Sequence, residues 1–241
     1  YLGNGTAVAD RDFATQMEHP NSSETIKMIG ITGNHIINPS LAHALKSYYV
    51  LMTNGKLYSL GGNASGQLGD WTTNERTSWV RPKYTSASGP EMDDIKWISP
   101  QENDRTYAAI NVINSQGQLF AWGNNNQDML GVGTATGPTM PAGISPTDKV
   151  LAVETGGHTS MIIKEGACNF GYIGHRVDGS MGNGVATAAF ETSYTFLTAS
   201  VAICGAVSVA ITPTTIAATD GSCCINTPIA WQASPAGGTF S

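Results

Sequence analysis

Residues 54–69 read NGKLYSLGGNASGQLG, and residues 116–133 read QGQLFAWGNNNQDMLGVG. Gly55 matches Gly117, Leu57 matches Leu119, Leu60 matches Trp122, Gly61 matches Gly123, Asn63 matches Asn125, and Gly69 matches Gly131. Ordered self-matches of this kind make a repeat, and a repeat decides the fold before any single segment does. Asn54-Gly55 predicts a hairpin turn of type I′, which needs positive φ at both residues. Leu57 to Leu60 then supply strand-forming side chains.

Working outward, residues 26–31 and 47–52 alternate as strands ahead of this turn. Residues 35–46 interrupt them as an irregular insertion with one short helical turn. In the second unit, residues 95–99, 107–113 and 118–122 read as strands, with the turn at 115–117. In the third, residues 150–153 open the unit and residues 155–163 lead into the next strand. Glu165-Gly166 is its turn, 169–174 its following strand, and 181–184 its close. Leu2-Gly3-Asn4-Gly5 is the closing element of a unit whose beginning is absent. The closing glycines Gly3, Gly69, Gly131 and Gly182 stand 66, 62 and 51 residues apart. The units therefore keep their strands and vary their polar excursions, notably 70–77 and 134–140. About four short strands per unit with glycine corners predict one propeller blade per unit.

The sequence resembles the regulator of chromosome condensation repeat. The resemblance rests on Gly156-Gly157-His158-Thr159-Ser160, on the Gly-x-Leu-x-x-Trp-Gly-x-Asn run from Gly117 to Asn125, and on Gly66-Gln67-Leu68-Gly69. It covers roughly residues 1–190. In the third unit Ile173 stands for the Trp and Arg176 for the Asn. The resemblance implies an all-β fold with blades of a seven-bladed β-propeller, and a structural hydrogen bond for His158. Three units and a remnant cannot close a ring and would leave sheet edges open. With no Met at Tyr1, the chain reads as the middle of something, with other blades outside the quoted residues.

From residue 197 the texture changes. The string TPIAWQASPAGGTFS at 227–241 resembles the opening of immunoglobulin-like repeats in surface proteins of gliding Bacteroidetes. That resemblance implies export by a type 9 secretion system. The domain reading is therefore a partial propeller over 1–196 and the start of an immunoglobulin-like β segment or linker over 197–241. Cys204 paired with Cys223 or Cys224 would close a loop of about 20 residues, worth about 3 kcal/mol. Cys168 completes the four cysteines, which show no metal-ligand spacing.

Charged residues make up only 12% of the chain, about half the usual share, and the net charge is −6. No basic run is present, so nucleic acid and anionic membrane are poor partners. No apolar run reaches the roughly 18–20 residues that span a bilayer. A neutral polar surface with little Lys fits an extracellular or cell-surface protein.

Catalytic, cofactor and metal sites are not expected. His35 and His43 lack a third ligand, His19 and His175 stand alone, and Glu91 with Asp93-Asp94 lacks calcium-loop spacing. No nucleophile elbow, zinc helix or phosphate loop occurs. Trp122 sits at a repeat position and belongs to the core. Trp71 and Trp79 sit in the variable excursion, where aromatic rings are candidate contacts for a protein or glycan, or plugs between blades.

The expectation is a non-enzymatic adhesion or binding module working through loops 70–90 and 132–148. A secreted cargo, spacer or cap associated with outer-membrane export components is a rival. Guanine-nucleotide exchange, an activity implied by the repeat family, is a third reading, since fold does not fix function.

Overall fold

The computed structural model describes residues 16–34, 45–102, 107–132, 138–144, 149–165, 169–175, 184, 186 and 190–200. The expected insertion at 35–44, Cys168, Cys204, Cys223, Cys224 and the immunoglobulin-like stretch beyond Ser200 lie outside the described residues.

All regular structure among them is β, arranged as three four-stranded antiparallel sheets in chain order. The first holds β1 (Ile26–Asn34), β2 (Leu45–Met52), β3 (Leu57–Gly61) and β4 (Arg76–Val80). The second holds β5 (Ile95–Pro100), β6 (Ala109–Asn114), β7 (Leu119–Asn124) and β8 (Pro138–Ile144). The third holds β9 (Val150–Gly156), β10 (Thr159–Lys164), β11 (Asn169–His175) and β12 (Phe190–Ser200). Each is a simple meander, the form of a propeller blade. β5 packs on β1 and β2, and β9 packs on β5 and β6, so the first strands of successive blades adjoin. The fold is a partial β-propeller.

The fourth strands were hidden in the sequence. β4 and β8 lie inside the stretches 70–90 and 132–148 that read as variable loops. Their sequences, RTSWV and PTMPAGI, lack a clean apolar alternation, because an outer strand has less to bury. β12 continues to Ser200, across the boundary expected at 196.

The Asn54-Gly55 turn is not type I′. Gly55 has φ 89°, but Asn54 is not among the positive-φ residues. The Gly55 amide donates to the Met52 carbonyl and the Met52 amide to the Lys56 carbonyl. Gly117 repeats this geometry with Asn114 and Gln118, at φ 79°. Both are three-residue loops closed by a glycine bulge, with the Asn54 and Asn114 side-chain oxygens accepting from Lys56 and Gln116 amides.

Side chains alternate between a face turned to the preceding blade and one turned to the following blade. Register makes Ser47, Ala109 and Thr159 equivalent, since they pair with Gly61, Gly123 and Gly174. Tyr49 and Leu51 therefore face forward from the first blade. They meet Ile95, Ile98, Ile110, Val112 and Trp122 of the second in one buried cluster. Ile113, Leu119 and Ala121 face forward from the second and meet Val150, Val153 and Ile162 of the third. The core is thus two interblade layers.

Candidate functional site

The repeated asparagines shape the turns that lie between blades. After β3 the chain turns back at Asn63, whose side-chain oxygen accepts the Leu68 amide at 2.9 Å. After β7, Asn125 does the same for the Leu130 amide at 2.9 Å. Both turns then run as two linked hydrogen-bonded turns, Gly66 to Asn63 and Gly69 to Gly66, matched by Asp128 to Asn125 and Gly131 to Asp128. The result is a buried wedge between neighbouring sheets.

Each wedge offers carbonyls to the blades that flank it. The Gln67 carbonyl accepts the Tyr49 hydroxyl at 2.6 Å and the Trp122 indole N–H at 2.9 Å. The Ser59 hydroxyl donates to the Leu68 carbonyl at 2.7 Å. In the second wedge Ser160 donates to the Met129 carbonyl at 2.6 Å. Asn111 bridges the same layer, donating to Thr155 and Ser160 hydroxyl oxygens at 2.8 and 3.1 Å. These serine hydroxyls are fully buried and bonded to carbonyls. They serve as struts.

Asp128 departs from the pattern. It holds φ 55° where the first wedge has Gly66 at φ 70°. It is buried, and one carboxylate oxygen has no hydrogen-bond partner. Desolvation pushes its carboxyl above the ordinary range. The native state therefore holds the proton more readily than the unfolded chain. The stability gained is full below the unfolded carboxyl range and lost as pH rises through the native value. Asp128→Asn is expected to raise stability at neutral pH by about 1 kcal/mol, since a neutral group costs less to under-bond than a charged one. Urea unfolding at neutral and acid pH should show this advantage shrinking as pH falls.

Trp71 is the other positive-φ residue among the described non-glycines, at φ 64°. The equivalent position is Gly5, Gly133 and Gly184 in the other units. Gly184 has φ 77°, the same left-handed conformation. A bulky residue there is strained by about 1–3 kcal/mol. Its indole N–H donates to the Lys83 carbonyl at 2.9 Å. Residues 82–92 form a small hairpin at the outer edge of the first interblade layer, with Tyr84 bonded to Pro90 and Met92 to Pro82. Trp71 thus clasps the wedge to this hairpin. Trp79 lies on β4 and donates its indole N–H to the Glu18 carbonyl at 2.7 Å. Both rings are half-buried, and the two side chains are anchored to different segments. Trp122 is fully buried, at the core position its repeat match requires.

The acidic group at 91–94 has internal partners. Arg81 donates to the Leu57 and Met92 carbonyls, lies 4.7 Å from the Tyr58 ring centre, and is paired with Glu91 and Asp93. Asp94 accepts the Tyr84 hydroxyl. Burial, then this carboxylate, pushes the Tyr84 hydroxyl's pKa up. Tyr84 also meets the Phe120 ring edge-on at 4.9 Å. The hairpin is therefore pinned to both blades.

On the third blade a cavity of about 420 Å³ is lined by Glu154, His158, Thr159, Met161 and His175 around Gly156. His158 lies between the Tyr107 ring at 5.2 Å and the His175 ring at 5.9 Å. His175 stacks in turn on Phe190 at 4.7 Å. The His158 carbonyl accepts the His175 amide. Burial, helped by Glu102, raises the Glu154 carboxyl's pKa. Among the described residues no metal-binding group of three His, Cys, Asp or Glu forms, and no helix is long and apolar enough to cross a membrane.

Comparison with known proteins bears on these wedges. Residues 116–163 match the regulator of chromosome condensation (RCC1) repeat. The matched stretch runs from β7 through β10, so the RCC1 repeat straddles two blades and encloses the wedge between them. A dog relative, the X-linked retinitis pigmentosa GTPase regulator, is 33% identical over 87 residues. Those residues are 36% of this chain and 8% of the relative. Human WBSCR16 superposes with TM-score 0.48 and 16% identity, over 63% of this chain and 37% of that one. Yeast RCC1 (Prp20), in its complex with Kap60, gives TM-score 0.45 and 16% identity, over 63% and 35% of the two chains. Prp20p from Saccharomyces cerevisiae, described with its binding to Gsp1p and histones, gives 0.46 and 17%, over 62% and 36%. The chain spans well under half the length of each.

Proposed function

We propose that this chain is a non-enzymatic binding module in which rigid RCC1-type blades carry variable rim segments. One observation carries the reading. Most residues shared between units are buried in the interblade layers or their turns, whereas residues 70–92 differ from unit to unit and include the exposed positions Thr85, Ala87, Ser88 and Pro90. Such a division of labour is how scaffolds present recognition loops. Trp71 and Trp79 spend their indole N–H groups on main-chain carbonyls and stay half-buried, which leaves part of each ring for contact. The partner class is a protein or glycan. The low charge and neutral polar surface suit an extracellular setting.

Protein and glycan arrays probed with the chain and with Trp71→Ala and Trp79→Ala test this. A ligand whose affinity falls at least about tenfold on losing either ring supports the reading. Binding indifferent to both residues counts against it. The dog relative's name motivates a second reading, contact with a small GTPase. Nucleotide release from a panel of small GTPases separates the two.

A further inference from the structure

Asn54-Gly55 lies at a contact between blades. The Gly55 carbonyl accepts the Ile95 amide at 2.9 Å, at the entry to β5. The second unit repeats this seat, where the Gly117 carbonyl accepts the Val150 amide at 2.8 Å. Both glycines press on the chain they hold. A Cβ at Gly55 would lie 2.6 Å from the Asp93 carbonyl oxygen, and one at Gly117 would lie 2.7 Å from the Lys149 Cβ. The hairpin tip of each of these blades thus fixes where the first strand of the next one starts.

The residue before the glycine differs between the two tips. It is Asn54 in the first and Gln116 in the second, and both are exposed. The difference is chemical. An asparagine carboxamide reaches the following main-chain nitrogen through a small ring, whereas glutamine needs a larger ring that closes more slowly. Glycine leaves that nitrogen uncovered by any side chain. The Asn54 side-chain oxygen already accepts the Lys56 amide at 3.2 Å. An N–H at that oxygen stabilises the negative charge that builds there when the carboxamide is attacked. The Gly55 amide donates to the Met52 carbonyl at 3.0 Å, so attack waits on opening of the tip. Exposed turns open at low cost compared with buried strands. The wedge asparagines offer a contrast. Asn63 and Asn125 are buried, are followed by Ala64 and Asn126, and have their side chains bonded within the wedges.

We infer that Asn54 is a site of spontaneous deamidation and isomerisation, and that the product unseats the first hairpin tip from the second blade. The Gly55 main-chain nitrogen bonds to the Asn54 side-chain carbonyl carbon. The bond from that carbon to the side-chain nitrogen breaks, and the displaced amide hydrogen passes through solvent to the departing ammonia. Water then opens the resulting succinimide at either carbonyl, leaving an aspartyl or an isoaspartyl residue at position 54. Water is the only co-reactant. The isoaspartyl form routes the main chain through the side-chain carbon and so adds a methylene ahead of Gly55. Gly55 is packed against the Asp93 and Asp94 main chain, so the lengthened tip cannot keep its carbonyl on the Ile95 amide.

Peptide mapping by mass spectrometry, on the 241-residue chain held folded in mildly alkaline buffer, tests this. The peptide spanning residue 54 should gain the mass that replaces NH2 by OH and should split into two isomers. Peptides spanning Asn63 and Asn125 should stay unchanged over the same time. Asn54→Gln, which places at this tip the residue type of the other, should abolish the conversion and keep the fold. Hydrogen exchange at the Ile95 amide should speed up about tenfold in the aged chain, the loss of one hydrogen bond. It should not change in aged Asn54→Gln. Absence of conversion at residue 54 in the folded chain overturns the inference, whether or not the denatured chain converts. Conversion that leaves Ile95 exchange unaltered overturns it equally, because the tip then keeps its seat.

Discussion

Trp122→Ala is expected to lower the unfolding free energy by about 3–5 kcal/mol, the largest loss among side-chain truncations in this chain. The indole is fully buried in the first interblade layer, among Tyr49, Leu51, Leu57 and Met92 of the preceding segment. Its N–H holds the Gln67 carbonyl. It also fills space that the backbone vacates for it: a Cβ on Gly69 would lie 2.8 Å from the indole nitrogen. Truncation opens a cavity that β7 and the wedge cannot both collapse into. Trp122→Phe keeps most of the apolar contact and loses the donor. The Gln67 carbonyl retains the Tyr49 hydroxyl, so this variant should cost nearer about 1 kcal/mol. Denaturant unfolding of the two variants separates packing from hydrogen bonding.

Gly123→Ala is expected to cost at least about 3 kcal/mol, or to prevent folding. Gly123 holds φ 107°, a conformation open almost only to glycine. A Cβ there would lie 2.6 Å from the Ala108 carbonyl oxygen and 2.7 Å from the Ala109 Cα, both main-chain atoms of the adjacent strand region. Neither can swing aside as a side chain would. Gly61 and Gly174 hold φ 110° and 109° and press on the Lys46 and His158 carbonyls in the same way. Each lets the chain leave the third strand of its blade while the second strand stays in register. Soluble yield and thermal unfolding of Gly123→Ala measure the effect. Gly143→Ala, where a Cβ would meet only the Phe120 ring at 3.5 Å, is the control and should be mild.

Much of this was legible in the residues. The matched positions from Gly55/Gly117 to Gly69/Gly131 occupy equivalent places, with φ of 89° and 79°, 110° and 107°, and 71° and 70° at the three glycine pairs. Glycine is readable because positive φ is strained for other residues, which therefore seldom stand there. Asn63 and Asn125 were readable as matched letters, but their role needed coordinates, since a side chain bonding an amide five residues on leaves no periodicity. The outer strands β4 and β8 were missed because their apolar content is low. The loop at Asn54 differs from the expected type I′ turn because Asn-Gly serves both that turn and a glycine bulge. Asp128 and Trp71 were detectable in principle. Aligned with Gly66 and with Gly184, each stands where the repeat supplies glycine. The Trp71 and Trp79 anchors, Lys83 and Glu18, lie on other segments, and no spacing rule reaches them.

Hydrogen exchange at the Leu68 and Leu130 amides tests most directly whether the turns closing each unit are wedges fixed by the next blade. Both amides should be protected as strongly as the central strands β6 and β10. In Trp122→Phe, protection should fall further at Leu68, beside the lost indole donor, than at Leu130 in the second wedge. Rapid exchange at both amides in the unaltered chain, or an equal loss at both in the variant, would contradict the account.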